Sequence, residues 1–285
     1  MAVASPAEIP DVDETPVPKK AGRNLPAAIA VGLSLGALIV VTLFTERRAF
    51  VAVIAVAIAI GTLELCRALA QNGARAARTP LVIGGAVTIA AAYQRGTTAL
   101  MFGLVVTCLA CLLLRLPEGV PGVVRDWSAS VFVAAYVPFL AGFAAMMTRP
   151  ENGAARIVAF VATTVCSDVG GYTAGVLKGK HPMAPTVSPK KTWEGFAGSA
   201  AACVICGVAV VSTFMEIAWW QGVLFGLAVV GAATIGDLGE SLVKRDVGIK
   251  DMGHILPGHG GLMDRLDSLL IVAPVSWALL ALWAP

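Results

Sequence analysis

Long apolar runs separated by short polar stretches make up most of this chain. The runs are about 18–22 residues long, which is the length that a helix needs to cross the hydrocarbon layer of a bilayer. The pattern predicts an all-α, polytopic membrane protein with about nine transmembrane helices. The predicted spans are residues 25–45, 49–70, 79–94, 97–115, 127–147, 155–177, 195–214, 218–238 and 265–284, and the third is the shortest. Glycines within the spans, such as Gly36, Gly170 and Gly222, indicate close helix packing.

Composition excludes an ordinary soluble domain. The chain has 285 residues, of which 57% are hydrophobic and 14% are charged, and its mean hydropathy is +0.80. Residues 1–24 differ, because they carry four prolines, mixed charge and no apolar run. We expect them to form a disordered, Pro-rich N-terminal tail, and residues 25–285 to form one transmembrane domain. The polar motifs of that domain are concentrated in residues 165–268.

The positions of Lys and Arg predict how the chain is oriented. With the N-terminus inside the cell, 16 of the 21 Lys and Arg residues fall in cytoplasmic segments and 5 in outer segments. Because cytoplasmic loops are enriched in Lys and Arg, this distribution predicts a cytoplasmic N-terminus. It also places residues 178–194 and 239–264 on the cytoplasmic face.

The richest polar stretch runs from Ser241 to Asp267, between two apolar spans. A solvated cytoplasmic loop would account for its Lys and Arg residues. It would not account for its acidic residues, its two histidines and its Gly-His-Gly-Gly turn. We therefore interpret this stretch as part of an active site.

The end of the eighth predicted span carries a polar stripe. Its members are spaced i, i+3, i+4 and i+7, which puts them on one helix face, and they are Asp237, Glu240, Ser241 and Lys244. A carboxylate at the membrane edge needs a compensating partner, and a metal ion is one candidate for Asp237. The alternative is that Asp237 is a helix-end acid that faces water.

A glycine-rich turn precedes the ninth predicted span, and it consists of Gly258, His259, Gly260 and Gly261. Such a turn presents free N–H groups and the positive end of a helix dipole, so it favours anions. Asp264 lies in the first turn of the following helix. Mg²⁺ is usually held by one or two carboxylates, with water and substrate phosphates completing its shell. Asp237 and Asp264 are therefore candidate magnesium ligands.

The loop at residues 178–194 is a second basic element. Its hydroxyl and ammonium groups are those of Ser188, Lys190, Lys191 and Thr192. These groups neutralise phosphate charge, although Lys-Lys is also expected in any cytoplasmic loop. Asp168 lies within the sixth span, where an acid is a functional candidate. Glu64 and Arg67, three residues apart in the second span, are interpreted as a structural ion pair.

Three sequence elements resemble the phosphatidate cytidylyltransferase family, also called CDP-diacylglycerol synthases. The longest reads Ser-x-x-Lys-Arg-x4-Lys-Asp…Pro-x-His-Gly-Gly-x-x-Asp-Arg-x-Asp and runs from Ser241 to Asp267. The others are Ser167-Asp168…Tyr172…Gly175 and Ser188-Pro-Lys-Lys-Thr-x-Glu-Gly195. Together they cover about the last 120 residues, and the first four spans carry no motif beyond hydrophobicity.

The resemblance implies an integral-membrane enzyme that converts CTP and phosphatidate to CDP-diacylglycerol and pyrophosphate in phospholipid biosynthesis. It implies that Asp237 and Asp264 hold Mg²⁺, alone or with a second cation such as K⁺. It further implies a homodimer. We expect the protein in the cell inner membrane, in contact with membrane lipid, and the Lys and Arg distribution predicts an active site on the cytoplasmic side. No nucleic acid is expected as a partner.

Roles for the other polar residues are hypotheses. The residues expected to grip triphosphate or lipid phosphate are Lys190, Lys191, Lys244 and Arg245. Those expected to orient these groups or to complete the metal shell are Asp168, Asp251 and Asp267. The nucleotide or phosphate is further expected at Ser188, Gly258, His259, Gly260, Gly261 and Arg265.

Two other functions stay open at this point. A CTP-dependent kinase of a lipid alcohol would also need Mg²⁺ and a basic loop, but the long motif argues against it. An ion-coupled transporter would use Asp168 and Asp237 as ion or proton sites. Transporters usually place such sites near the midplane between internal repeats, and the two halves of this chain show no repeat.

Overall fold

The computed structural model describes residues 25–255 and 260–283, and it describes side chains from residue 32 onwards. Every predicted span is helical within these residues. The helices are α1 (Leu25–Thr45), α2 (Arg47–Gln71), α3 (Arg78–Arg95), α4 (Thr97–Arg115), α5 (Val123–Ala134), α6 (Leu140–Met147), α7 (Gly153–Lys178), α8 (Trp193–Met215), α9 (Trp219–Val247) and α10 (Met263–Trp283). A π-helical turn, Ala135–Phe139, contains Pro138 and joins α5 to α6, so these three elements form one continuous span. The predicted tail, residues 1–24, lies outside the described residues.

Seven helical segments among the described residues are long and apolar enough to cross a membrane. They are Arg47–Gln71, Thr97–Glu118, Val123–Met147, Gly153–Lys178, Trp193–Met215, Trp219–Val247 and Met263–Trp283. The described apolar part of α1, Gly32–Thr45, is shorter. Helix α3 is not one of the seven, because polar residues such as Arg78 and Arg95 occupy both of its ends. A helical membrane protein is confirmed, and the count of nine spans stays a prediction.

The all-α prediction missed a small β-hairpin in the loop at residues 178–194. Strands β1 (Pro182–Ala184) and β2 (Ser188–Thr192) pair antiparallel, with Pro182 opposite Thr192 and Ala184 opposite Ser188. These strands are short and contain prolines, which cannot donate to a sheet, so their sequence gives little β signal. The hairpin leads directly into α8, whose N-cap Thr192 accepts a hydrogen bond from the Gly195 N–H.

Helix α9 continues nine residues past its predicted end at position 238. The extension contains residues that favour helix, and it stops at Gly248, where φ is +77°. The N–H groups of Gly248 and Ile249 donate back to the carbonyls of Arg245 and Lys244, which closes the helix end. Residues 239–247, placed beyond the end of the predicted span, are therefore helical, in agreement with the helical spacing of the polar stripe.

Small residues let the C-terminal helices approach each other closely. A Cβ on Gly170 of α7 would lie 2.7 Å from the Gly198 carbonyl oxygen of α8, and a Cβ on Gly198 would lie 2.7 Å from the Gly170 carbonyl oxygen. A Cβ on Gly236 of α9 would lie 2.7 Å from the Asp267 carbonyl oxygen of α10. Gly36, in contrast, has no such neighbour within 4 Å. Close backbone approach thus brings polar residues of α7, α8, α9 and α10 together.

Replacement of Gly198 by Val should destabilise the protein, because the added side chain must push α8 away from α7. Overpacking of this kind costs about 1–3 kcal/mol. The measurement is the thermal unfolding temperature of the purified protein in detergent. Gly231→Val is the matched control, since a Cβ on Gly231 has no such neighbour within 4 Å. Equal unfolding temperatures for the two variants would contradict the packing described here.

Candidate active site

The C-terminal helices and the β-hairpin surround a polar cleft of about 490 Å³. Of the residues that the sequence singled out for binding or catalysis, those lining it are Asp168, Lys190, Lys191, Thr192, Asp237, Lys244, Asp251, Asp264, Arg265 and Asp267. They come from α7, β2, α9, α10 and the loop before α10, so residues far apart in sequence converge. The cleft also takes in Ser167 and Tyr172 from the second motif.

The Asp264 carboxylate accepts several hydrogen bonds at the cleft. Its Oδ2 accepts from the backbone N–H groups of Gly261 at 2.8 Å and Met252 at 3.0 Å. Its Oδ1 accepts from Lys244 Nζ at 3.1 Å. The side chain is 8% exposed. Asp264 therefore fixes the loop before α10 and links that loop to α9.

Lys244 lies between two carboxylates. Its Nζ is 2.6 Å from Glu240 Oε2, one turn back on α9, and 3.1 Å from Asp264 Oδ1. Glu240 is fully buried, and Lys244 is the cation that compensates its charge. A buried carboxylate without such a partner is strongly unfavourable. Lys244 thus neutralises the acids of α9 and α10, and its predicted contact with phosphate stays a prediction.

The β-hairpin places a second lysine, Lys191, in the cleft. Lys191 Nζ lies 2.5 Å from Asp237 Oδ2, which joins the hairpin to the polar stripe of α9. Glu194, at the start of α8, accepts hydrogen bonds from the backbone N–H groups of Lys180 and His181, and His181 Nδ1 lies 2.5 Å from Glu194 Oε1. Glu194 therefore closes the base of the hairpin, so Lys190 and Lys191 line the cleft.

Helices α7 and α10 supply the remaining wall. Ser199 of α8 donates to the carbonyl of Ser167 at 2.6 Å, and Ser268 of α10 donates to the carbonyl of Ala233 at 3.2 Å. These bonds satisfy hydroxyls inside the helix bundle and hold adjacent helices in register. Asp168 and Asp267, one residue from Ser167 and Ser268, are placed at the cleft by the same contacts.

Several predicted site residues lie elsewhere. Arg245 does not line the main cleft; its Nε donates to the Val187 carbonyl at 3.3 Å and ties the hairpin tip to α9. Ser188 is paired in the hairpin opposite Ala184, and it does not line the cleft either. The other predicted site residues belong to the glycine turn. Gly260 and Gly261 lie next to the Asp264 carboxylate, since a Cβ on them would lie 3.2 Å and 3.0 Å, respectively, from Asp264 Oδ2. Gly258 and His259 lie outside the described residues.

Sequence reasoning misassigned Glu64. Its side chain is 1% exposed, and its Oε2 accepts the Met263 backbone N–H at 2.8 Å, at the start of α10. The predicted ion pair with Arg67 is wrong, because Glu64 turns into the bundle while Arg67 is exposed. Spacing along one helix could not reveal a partner 199 positions further along the chain.

Comparison with known proteins places the chain in a family. The model of the cytidylyltransferase family matches residues 26–283. The chain belongs to this family.

Three relatives are each named phosphatidate cytidylyltransferase. The protein from Mycobacterium leprae (strain TN) is 45% identical over 283 residues, covering 92% of this chain and 89% of the relative. The protein from Mycobacterium bovis (strain ATCC BAA-935 / AF2122/97) is 42% identical over 280 residues, covering 92% of this chain and 90% of the relative. The protein from Mycobacterium tuberculosis (strain ATCC 25618 / H37Rv) is 42% identical over 280 residues, covering 92% of this chain and 84% of the relative. The likeness thus includes the first four spans, which carry no motif.

The cleft has the chemistry of a site for a hard divalent cation. Its carboxylates, including Asp237 and Asp264, offer the oxygen ligands that Mg²⁺ prefers. Within residues 25–255 and 260–283, no three His, Cys, Asp or Glu side chains close around one point. A cation bound by two carboxylates and by phosphate oxygens fits this arrangement, whereas a cage made only of protein ligands does not.

Replacement of Lys244 by Met should destabilise the fold, because Glu240 would stay buried without its cation. Breaking one side of a buried pair costs about 3–5 kcal/mol. The measurement is again the thermal unfolding temperature in detergent. The double variant Lys244→Met/Glu240→Gln is the matched control, since it removes both charges and should recover part of the loss. A double variant no more stable than the single one would show that Glu240 is not the reason.

Proposed function

We propose that this protein transfers the cytidylyl group of CTP to phosphatidate, giving CDP-diacylglycerol and pyrophosphate. Membership of the cytidylyltransferase family supports cytidylyl transfer, and the names of three relatives at 42–45% identity support phosphatidate as acceptor. The observation that carries the proposal is the convergence of lysines and aspartates from all three sequence motifs on one cleft.

The reaction joins two anions. A phosphate oxygen of phosphatidate attacks the α-phosphorus of CTP, the bond from that phosphorus to the bridging oxygen of the β-phosphate breaks, and pyrophosphate leaves. The repulsion between reactants must be offset by positive charge at fixed positions. Lys190, Lys191 and Arg265 line the cleft and supply such charge. The attack comes from the lipid phosphate itself, so the protein needs no nucleophile of its own.

We further propose that Asp237 and Asp264 hold Mg²⁺, with Asp168, Asp251 and Asp267 orienting the surrounding groups. When bound, the metal would withdraw charge from the triphosphate. A second cation such as K⁺ is part of the same proposal. Lys191 and Lys244 each contact one of the two proposed ligands, and so hold those carboxylates in place.

The remaining proposals concern location. Phosphatidate keeps its acyl tails in the bilayer, so its phosphate lies at the interface, where the apolar helices give way to the polar cleft. CTP is cytosolic, and the Lys and Arg distribution favours the cytoplasmic side of the cell inner membrane. Nine spans, a cytoplasmic N-terminus and a homodimer belong to this proposal.

The decisive test uses purified protein in detergent with phosphatidate, Mg²⁺ and CTP labelled separately at the α- and γ-phosphates. The α-label should appear in lipid and the γ-label should leave as pyrophosphate. Transfer of the γ-label to a lipid alcohol would identify a kinase instead. No transfer of either label across several lipid acceptors, with EDTA as control, would favour the transporter.

The variants Asp237→Asn and Asp264→Asn should each abolish cytidylyl transfer while leaving membrane insertion intact. The reason is that an amide is a much weaker ligand for Mg²⁺ than a carboxylate. Asp246→Asn is the matched control, since Asp246 is exposed on α9 and does not line the cleft. Substantial activity of Asp264→Asn would overturn the metal assignment.

A further inference from the structure

Glu64 is a buried carboxylate from the half of the chain that carries no motif. It lies on α2, is 1% exposed, and reaches the start of α10, where its Oε2 accepts the Met263 N–H at 2.8 Å. Helix N-termini leave N–H groups without intrahelical partners and favour a negative charge nearby. Glu64 thus completes the N-terminus of the helix that presents Asp264, and it does so from a distant segment.

Two glycines of the loop before α10 pack directly on the Glu64 side chain. A Cβ on Gly253 would collide with Glu64 Oε1 and would lie 2.6 Å from its Cδ. A Cβ on Gly261 would lie 2.8 Å from Glu64 Oε2 and 3.0 Å from Asp264 Oδ2. The Glu64 side chain therefore packs directly against Gly253 and Gly261, and a Cβ at either position would require Glu64 or the backbone to move.

The same stretch of backbone holds Asp264. Met252 and Gly261 donate their N–H groups to Asp264. Met252 is adjacent to Gly253, and Gly261 is itself one of the two glycines that pack on Glu64. Met263, which donates to Glu64, immediately precedes Asp264. Two carboxylates thus contact the same stretch of backbone, and displacement of Glu64 would shift the donors that orient Asp264.

The second oxygen of Glu64 has no donor among the described residues, although it is buried. Buried polar atoms are nearly always hydrogen-bonded, so a carboxylate with one unpaired oxygen is kept here only if its other oxygen has a role. A buried carboxylate is costly to keep, and an apolar residue would serve packing alone. The acceptor that faces the Met263 N–H is the feature that an apolar residue could not supply.

We propose that Glu64 is a positioning residue for the cytidylyl-transfer site, holding the backbone of Gly253, Gly261 and Met263 so that Asp264 keeps its orientation. Glu64 acts through these three residues, and its own side chain does not line the cleft. The expected effect of Glu64 on cytidylyl transfer rests on the proposed function. Its expected effect on the backbone before α10 does not.

The kinetic test compares Glu64→Ala and Glu64→Gln with wild type in cytidylyl transfer. Groups that orient metal ligands typically change metal affinity or activity by about 10–100-fold, so Glu64→Ala should lower kcat and raise the Mg²⁺ concentration for half-maximal activity within that range. Glu64→Gln keeps an oxygen for the Met263 N–H, and no donor faces the other position. It should recover activity to within about fivefold of wild type.

The matched control is Asp126→Ala. Asp126 is also a buried carboxylate in the N-terminal half, where it accepts the Arg75 N–H and pairs with Arg115. Its loss should lower the unfolding temperature without changing the Mg²⁺ concentration for half-maximal activity. If Asp126→Ala raised that concentration as much as Glu64→Ala, general destabilisation would explain both and the proposal would fail.

A second readout does not depend on activity. Amide hydrogen exchange of residues 251–255 and 260–263 should accelerate at least about tenfold in Glu64→Ala, whereas residues 182–192 of the hairpin should keep wild-type exchange. Wild-type exchange at residues 251–255 and 260–263 would overturn the proposal. Absence of cytidylyl transfer in the wild-type protein would instead refute the proposed function, and the exchange result would still decide the role of Glu64.

The variant Gly253→Ala gives a test by rescue. Its added Cβ collides with Glu64, so the single variant should accelerate exchange at residues 251–255 and 260–263 as Glu64→Ala does. In the double variant the truncated side chain leaves room, and exchange should be no faster than in Glu64→Ala alone. Additive acceleration in the double variant would show that the two residues do not act through one contact.

Discussion

The carboxylate of Asp264 is the point on which the site depends. A single side chain accepts from two backbone N–H groups of the preceding loop and from Lys244 of α9. Without it, the loop would have to find other acceptors for those N–H groups, and Lys244 would be left with Glu240 alone. Because this carboxylate is also a proposed metal ligand, the geometry of the loop and the chemistry of the site are set by the same atoms. Substitutions there affect both, which is why the distant contact of Glu64 is useful for separating them.

The parts of this structure that depend on local sequence were predictable. Runs of apolar residues of spanning length led to helices at all nine predicted positions, and the spacing of Asp237, Glu240 and Lys244 placed them on one helix face. The end of α9 was placed at position 238, where the apolar run ends, although the spacing of the polar stripe already indicates helix as far as Lys244. Helix propensity and the helix-ending Gly248 were better guides, since polar residues in a helix end outside the hydrocarbon layer are not desolvated.

The parts that depend on distant contacts were not predictable. The motif residues were known to be functional candidates, but which of them face each other follows from the packing of α7 on α8 and of α9 on α10. Arg245 illustrates the limit: its charge predicts phosphate binding, yet its Nε is used by the Val187 carbonyl. Glu64 is the reverse case, because its sequence neighbours indicate an ordinary ion pair and its real partner begins another helix.

Charge balance explains why lysines and aspartates are interleaved in this cleft. Lys191 contacts Asp237, and Lys244 contacts both Glu240 and Asp264, so each cation is held by an acid from a different element or helix turn. At the edge of a bilayer an uncompensated charge is costly, and such pairs keep the wall nearly neutral. Under the proposed function, a substrate phosphate that binds one of these lysines would bring negative charge to the position where the acid supplied it. The acid would then be free to bind a cation, so the net charge of the cleft would change little. A site made of lysines alone would bind phosphate more tightly, but it would have no carboxylate left to hold a metal.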